Sequence, residues 1–267
     1  MRKKNYMSKL KAINVEKIYN PDSQGAVQAI KDISLDIREG EFVSLLGPSG
    51  CGKSTFLYMV GGFESLSGGS LKLDGKEIEG PGPNRGIVFQ EYVLFPWQTV
   101  YRNIEYGLRI KGINSDQSRT KVIELIKMIG LSGFEDKFPH ALSGGMQQRV
   151  AIARALAYDP DVLLMDEPFG ALDAQTRSLM ISDLSRIHNE TGKTTLFVTH
   201  SVEESILLSD RIFLFSARPS SIKSIFEIDI PHPRKVTDVA FTNIQKKVID
   251  DLSEEVEKLN ALESVIK

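Results

Sequence analysis

Gly47-Pro48-Ser49-Gly50-Cys51-Gly52-Lys53-Ser54 follows directly on the apolar run Phe42-Val43-Ser44-Leu45-Leu46, and together they set the fold class. The run is short and continuously apolar, and a turn at Arg38-Glu39-Gly40 precedes it, which is the pattern of a buried strand. The stretch after it matches G-x-x-x-x-G-K-[ST]. Glycines let a backbone wrap closely around phosphates with successive N–H groups pointing inward. From Lys53 to about Val60 the pattern is helical, so the positive end of a helix dipole is expected at the same spot. In that arrangement Lys53 reaches phosphate oxygens and the Ser54 hydroxyl ligates Mg²⁺. A plain glycine turn would need only the glycines. Lys53 and Ser54, in the strand–loop–helix context, favour phosphate binding. Cys51 sits among these groups in an electropositive setting, which predicts a lowered thiol pKa and exposure to alkylation.

Working outward, Val162-Leu163-Leu164-Met165-Asp166-Glu167 is an apolar strand ending in two carboxylates. Asp166 at the strand end can hold Mg²⁺ through its water shell. Glu167 is placed to polarise an attacking water as general base. Solvated acids at a strand exit are the bland alternative, and a phosphate loop in the same chain weighs against it. Leu142-Ser143-Gly144-Gly145-Met146-Gln147-Gln148-Arg149 opens a helix. Ser143 is the expected N-cap, and the glycine pair allows close approach of another group.

These motifs, in this order, resemble the ABC ATPase family over about Tyr19 to His200. The resemblance implies ATP and Mg²⁺ as ligands, with Gly47, Pro48, Ser49, Gly50, Cys51, Gly52, Lys53, Ser54 and Thr55 around the phosphates. Tyr19 looks like the aromatic that stacks on adenine, with a core aromatic as the alternative. Gln90, in Val88-Phe89-Gln90-Glu91, looks like the Q-loop glutamine, a metal ligand and catalytic residue together with Ser54 and Asp166 at the metal. Ala171-Leu172-Asp173 looks like the D-loop, and His200, in Val198-Thr199-His200-Ser201, like the switch histidine that contacts the γ-phosphate. The family signature is usually Leu-Ser-Gly-Gly-Gln, and Met146 stands here in place of the glutamine. The resemblance also implies a head-to-tail homodimer. Each ATP would lie on Lys53 and Ser54 of one subunit and under Ser143, Gly144 and Gly145 of the other.

The rest of the chain alternates strands and helices, which argues for a largely parallel core sheet. Strands are expected at 10–19, 29–37, 70–73, 86–89, 162–165, 194–198 and 211–215. From about 99 to 157 the pattern is helical, with Ile123, Ile126, Ile129 and Leu131 at helical spacing and Gly130 as a stop. Helices are also expected at 175–189 and 202–208. Ile244, Val248, Leu252, Val256 and Leu259 mark a last amphipathic helix with an acidic outer face. The expected fold is thus α/β: a P-loop NTPase core, mostly parallel with an N-terminal antiparallel β subdomain, carrying an inserted α-helical subdomain. The expected domains are an ATPase domain over 8–235, its helical insertion at about 95–157, and a C-terminal helical extension over 236–267.

The chain has 267 residues, 33 Lys and Arg against 35 Asp and Glu, and one cysteine. That balance gives no electrostatic case for nucleic acid, and a disulfide within the chain is excluded. No apolar run approaches the ~18–20 residues that span a bilayer. The basic Met1–Tyr6 stretch has no signal-peptide core behind it. A membrane role therefore needs a partner that supplies the spans. The choice lies between a transport motor and a soluble ABC ATPase working on DNA or ribosomes. Only about twenty residues separate the signature from Asp166, too few for a coiled-coil arm, and there is a single motif set. The Tyr92-Val93-Leu94-Phe95-Pro96-Trp97 run resembles the region where transporters accept a coupling helix from the permease. Packing of Phe95 and Trp97 inside the helical lobe is the alternative. Asn84–Gln90, Leu94–Trp97, Ser216-Ala217-Arg218-Pro219 and Pro231-His232-Pro233-Arg234 resemble importer ATPases of the nitrate, sulfonate and taurine group. The resemblance implies a permease, a solute-binding protein at one remove, and a peripheral position on the cytoplasmic face of a bacterial plasma membrane. Motors for other solute classes share much of this pattern.

Overall fold

The computed structural model describes residues 8–23 and 25–266, except for the side chains of 262–266. The basic Met1–Tyr6 stretch lies outside the described residues. In chain order the strands are β1 (Ser8–Tyr19), β2 (Val27–Arg38), β3 (Phe42–Leu46), β4 (Gly68–Leu73), β5 (Lys76–Glu77), β6 (Arg85–Val88), β7 (Val162–Asp166), β8 (Thr194–Val198), β9 (Arg211–Phe215) and β10 (Ser220–Glu227). The helices are α1 (Lys53–Gly61), α2 (Val100–Ile110), α3 (Ser115–Met128), α4 (Gly144–Ala157), α5 (Ala174–Thr191), α6 (Val202–Leu208) and α7 (Val239–Ile266).

The chain folds as two compact units. One takes the described residues up to Gly82 and those from Thr194 onward. Its strands run in the order β5-β4-β1-β2-β10-β9-β3-β8. β3 pairs parallel with both β8 and β9, and every residue of these three strands is buried. Burial on both faces is why they read as unbroken apolar runs. β1 pairs antiparallel with β2 and β4, forming the expected antiparallel region. α6 and α7 close over a core of Leu46, Ile206, Ile212, Leu214, Ile228, Ile230, Phe241 and Val248.

The other unit, Pro83–Lys193, pairs β6 parallel with β7 and carries α2 to α5. Each helix starts on a side-chain cap: Thr99, Asn114, Ser143 and Asp173 accept N–H groups of the first turn. These caps satisfy donors that the helix itself leaves unpaired. The unit extends beyond the helical stretch at 95–157, because β6, β7 and α5 cluster with the helices.

Four local expectations change. Ile123 is 43% exposed, and Val122 and Leu125 join Ile126, Ile129 and Leu131 inside instead. On α7, Val256 is 38% exposed while its neighbour Glu255 is 1% exposed. The hydrophobic stripe holds through Val248 and Leu252 and then gives way to a polar contact. β5 and β10 were not legible as strands. β5 has two residues, and β10, Ser-Ser-Ile-Lys-Ser-Ile-Phe-Glu, is mostly half-buried with weak alternation.

Candidate functional site

In the first unit, β3 delivers the chain into the phosphate loop, and α1 leaves it. Gly52 is the N-cap of α1 with φ 111, a left-handed value open to glycine. A Cβ there would also stand 3.1 Å from Ser220 Oγ. α1 starts with no side-chain cap, unlike α2 to α6. A helix start left uncapped beside a lysine is built for an anion. Lys53 is 4% exposed, and its Nζ donates to the Gly47 and Pro48 carbonyls at 2.9 Å each. No carboxylate appears among these partners, so the loop keeps a net positive charge.

Cys51 corrects its sequence reading. It is fully buried. Burial pushes its thiol pKa up, and this outweighs the lowering by the Lys53 ammonium, whose Nζ lies 3.9 Å from Sγ. The electropositive setting is present, but desolvation of the thiolate dominates. Alkylation at neutral pH is therefore not expected.

Tyr19, at the end of β1, is half-buried and donates its hydroxyl to Thr55 Oγ1 at 3.3 Å. Lys17 Nζ sits 5.0 Å from its ring centroid. The ring thus stands beside the start of α1 and outside the fully buried core. His200 is exposed in the turn between β8 and α6. That turn is fixed from both ends. Thr199 N–H donates to the Leu45 carbonyl at 3.2 Å, and the Thr199 hydroxyl donates to Glu204 Oε2 at 2.6 Å. Ser201 then caps α6 by accepting Glu204 N–H at 3.2 Å. These bonds place His200 on a rigid turn directly after a core strand.

In the second unit, β7 ends at Asp166, which is 5% exposed. The next residue, Glu167, has φ 42. A left-handed backbone is costly for a residue with a side chain and collects at functional sites. Gly170 N–H donates to the Glu167 carbonyl at 3.1 Å and closes the turn. A methyl on Gly170 would lie 3.4 Å from Gln90 Nε2 and 4.0 Å from Glu167 Oε2. The two side chains singled out from separate motifs therefore converge on one small open face.

The signature joins this unit differently. Ser143 caps α4 by accepting Met146 N–H at 3.3 Å. A Cβ on Gly144 would stand 2.7 Å from the Tyr92 hydroxyl, and one on Gly145 would stand 2.6 Å from Thr176 Cγ2. The close approach expected of the glycine pair is thus already made within the chain. Asp173 is the N-cap of α5. The Thr176 hydroxyl donates to it at 2.6 Å, with the Thr176 and Gln175 N–H groups at 3.0 Å. The Thr176 bonds lead in holding its carboxyl below the ordinary aspartate value.

Trp97 is 71% exposed, against burial inside the helical lobe. Phe95, half-buried, packs tilted against Trp97 at 5.7 Å and Tyr106 at 4.6 Å between ring centroids, with Arg154 5.4 Å from its ring centroid. The loop presenting them hangs on buried Asn103, whose amide meets the Phe95, Gln98 and Thr99 carbonyls and the Phe95 N–H. Asn103, Tyr92 and Arg218 carry roles that the sequence reading missed. Tyr92 and Arg218 stand inside longer runs that mark kinship and no role of their own, and no local pattern marks Asn103.

No described cluster of three or more His, Cys, Asp or Glu could hold a metal ion by itself. Within the first unit Ser54 offers a hydroxyl, and within the second Gln90 offers an amide oxygen and Asp166 a buried carboxylate. Each is a hard oxygen donor of the kind Mg²⁺ takes, a cation that uses few protein ligands and completes its shell with phosphate and water. No helix among the described residues is long and apolar enough to cross a membrane.

Residues 30–170 match the family model described as "ABC transporter". The chain is 49% identical to an uncharacterized ABC transporter ATP-binding protein of Methanocaldococcus jannaschii, over 94% of this chain and 93% of that protein. It is 45% identical to a taurine import ATP-binding protein of a Jannaschia species, over 90% and 89%. A nitrate import ATP-binding protein of Synechococcus elongatus is 47% identical over 83% of this chain and 34% of its own length. Among solved structures, a dimeric ATP-binding cassette in a post-hydrolysis state with ADP and Pi is similar at TM-score 0.72. It has 33% identity and covers 83% of this chain and 100% of that one.

Proposed function

This chain belongs to the ABC transporter family as an ATP-hydrolysing importer subunit, and from that premise we propose that it powers uptake of small solutes of the nitrate, sulfonate and taurine class. It works as a homodimer beneath a separate membrane-spanning permease, on the cytoplasmic face of the membrane. The relatives named for taurine and nitrate import support the solute class. The dimeric cassette supports the pairing of two chains.

The observation that carries the chemistry is Glu167, held at φ 42, with its carboxylate and the Gln90 amide both reaching the space over Gly170. A strained backbone that aims a carboxylate off the end of a buried strand suits a general base. Lys53 and the uncapped start of α1 bind the phosphates. Glu167 takes a proton from the attacking water, and Gln90 orients that water. His200 hydrogen-bonds the γ-phosphate, and Tyr19 stacks on the adenine. Ser54, Gln90 and Asp166 would hold Mg²⁺, which neutralises phosphate charge when bound. Ser143, Gly144 and Gly145 of the second chain complete the site, so ATP closes the dimer and hydrolysis opens it.

Glu167→Gln tests the reading. ATP binding should persist, turnover should fall about 10²–10⁴-fold, and an ATP-bound dimer should accumulate on size exclusion. Near-normal turnover would remove Glu167 from its role. Reconstitution with the permease, and a screen for solutes that stimulate ATPase activity, tests the solute class. Stimulation by sugars or peptides instead of small oxyanions or sulfonates would overturn it.

A further inference from the structure

α7 carries a buried acid that none of the roles above uses. Glu255 Oε2 accepts the Ala217 N–H at 2.8 Å. Its Oε1 accepts from Lys258 Nζ at 2.6 Å and lies 3.2 Å from Lys223 Nζ. Lys223 is itself tied to α7, through the Asp251 carbonyl and Glu254 Oε2, both at 2.7 Å. Burial alone would raise the Glu255 carboxyl pKa. The bonds from Lys258, the Ala217 N–H and Lys223 outweigh that and hold it below the ordinary value.

Ala217 opens the turn from β9 to β10, and Arg218 follows it. Arg218 commits two donors, Nε at 3.2 Å and Nη2 at 2.6 Å, to the carbonyl of Gly50. Gly50 lies in the middle of the phosphate loop with φ 72. The neighbouring Cys51 N–H reaches the Pro48 carbonyl only at 3.4 Å. A glycine peptide in the left-handed region turns over easily, so something outside the loop has to set its orientation. The turn that carries Arg218 is stiff. Ser216 N–H donates to the Ser221 carbonyl at 2.9 Å, Ser221 N–H to Ser216 Oγ at 3.0 Å, and Ser220 Oγ to the Ala29 carbonyl at 3.2 Å.

We propose that Glu255 and Arg218 are positioning residues for the phosphate loop, so that the C-terminal helix sets nucleotide affinity without touching the nucleotide. Glu255 fixes the turn at Ala217, and Arg218 passes that position to the Gly50 carbonyl. The carbonyl is held away from an anion that it would repel, and the loop N–H groups keep their inward direction. The proposal rests on the reading of residues 47–54 as the ATP phosphate site.

The test is calorimetric titration of the full chain with Mg²⁺-ATP, paired with steady-state ATPase assays. Arg218→Ala should raise Kd about 3- to 30-fold, less than the roughly 10- to 150-fold worth of a hydrogen bond to a charged group, because Arg218 acts on the nucleotide only through the loop. KM should follow Kd, while kcat at saturating ATP moves less. Arg218→Lys, with a point charge in place of the fork, should recover only part of the loss. Glu255→Ala should weaken binding in the same direction, and the double variant should bind no more weakly than Arg218→Ala alone. Glu255→Gln keeps an acceptor for the Ala217 N–H and should bind more tightly than Glu255→Ala. Parental affinity in Arg218→Ala, or multiplying fold-changes in the double variant, would overturn the relay. Should Glu255→Ala lose its helix by circular dichroism, Lys223→Met replaces it, and parental affinity in that variant removes Glu255 from the relay. Lys53→Ala is run alongside. Parental binding there overturns the phosphate-loop reading itself, whereas lost binding there with parental Arg218→Ala overturns the relay alone.

Discussion

At the scale of single residues, Cys51 and Gly144 show how a motif letter acquires physical content. The sign of the Cys51 effect follows from its environment. A thiol pKa raised by burial leaves less thiolate than a free cysteine has at any pH below its own titration. Maleimide should therefore label the folded chain more slowly than an unstructured cysteine peptide from pH 7 to 8.5. Equal rates would show an accessible thiolate. Gly144→Ala puts a methyl 2.7 Å from the Tyr92 hydroxyl and 3.5 Å from its ring carbon. Overpacking of this kind costs about 1–3 kcal/mol. Tyr92→Phe removes the clashing oxygen, so the double variant should recover most of the loss in urea unfolding. An unrecovered double variant would place the strain elsewhere. Residues 47–54, Asp166 and Glu167 are legible as candidates from residue type and spacing, because backbone N–H groups, a lysine and two acids act at short range. The burial of Cys51 was not legible, because it depends on what packs over the loop.

At the scale of elements, α7 and the buried Arg234 determine how the end of the chain is held. Phe241 is fully buried in the core that α7 shares with α6 and β9. Phe241→Ala should cost ~3–5 kcal/mol, read as a lower urea midpoint with an unchanged slope. Arg234 donates to four carbonyls, those of Ile206, Ser209, Ile228 and Ile230. It knots the end of α6 to the segment that leads into α7. Arg234→Lys offers one compact ammonium where a planar fork was, and leaves buried carbonyls unmet. A loss of at least about 2 kcal/mol is expected, and a neutral result would show that water replaces the guanidinium. The Pro-His-Pro-Arg run was recognised in the sequence only as a mark of kinship. Its Arg serves a structural purpose that no periodicity announces, because its partners lie 4 to 28 residues away.

At the scale of the molecule, the exposed aromatic cluster is the feature that points to another chain. Trp97, Phe95 and Tyr106 are held outward by Asn103 and Arg154 at the start of the helical segment. Exposed aromatics gathered on one surface mark interaction sites. If the proposed permease docks on this cluster, Trp97→Ala should weaken its co-purification with this chain from solubilised membranes. Unchanged recovery would move the docking surface elsewhere.

The sequence by itself determined most of the strands and helices, though not β5 or β10, and marked the phosphate loop and the acid pair as candidate sites. These follow from local periodicity and short-range backbone chemistry. Only the tertiary structure decided which side of a residue faces inward. It buried Glu255 in place of Val256, seated β10 between β2 and β9, closed Cys51 off from solvent and set Arg218 on the Gly50 carbonyl. Each depends on a partner distant in the chain, and neither helical nor strand periodicity carries information about such partners.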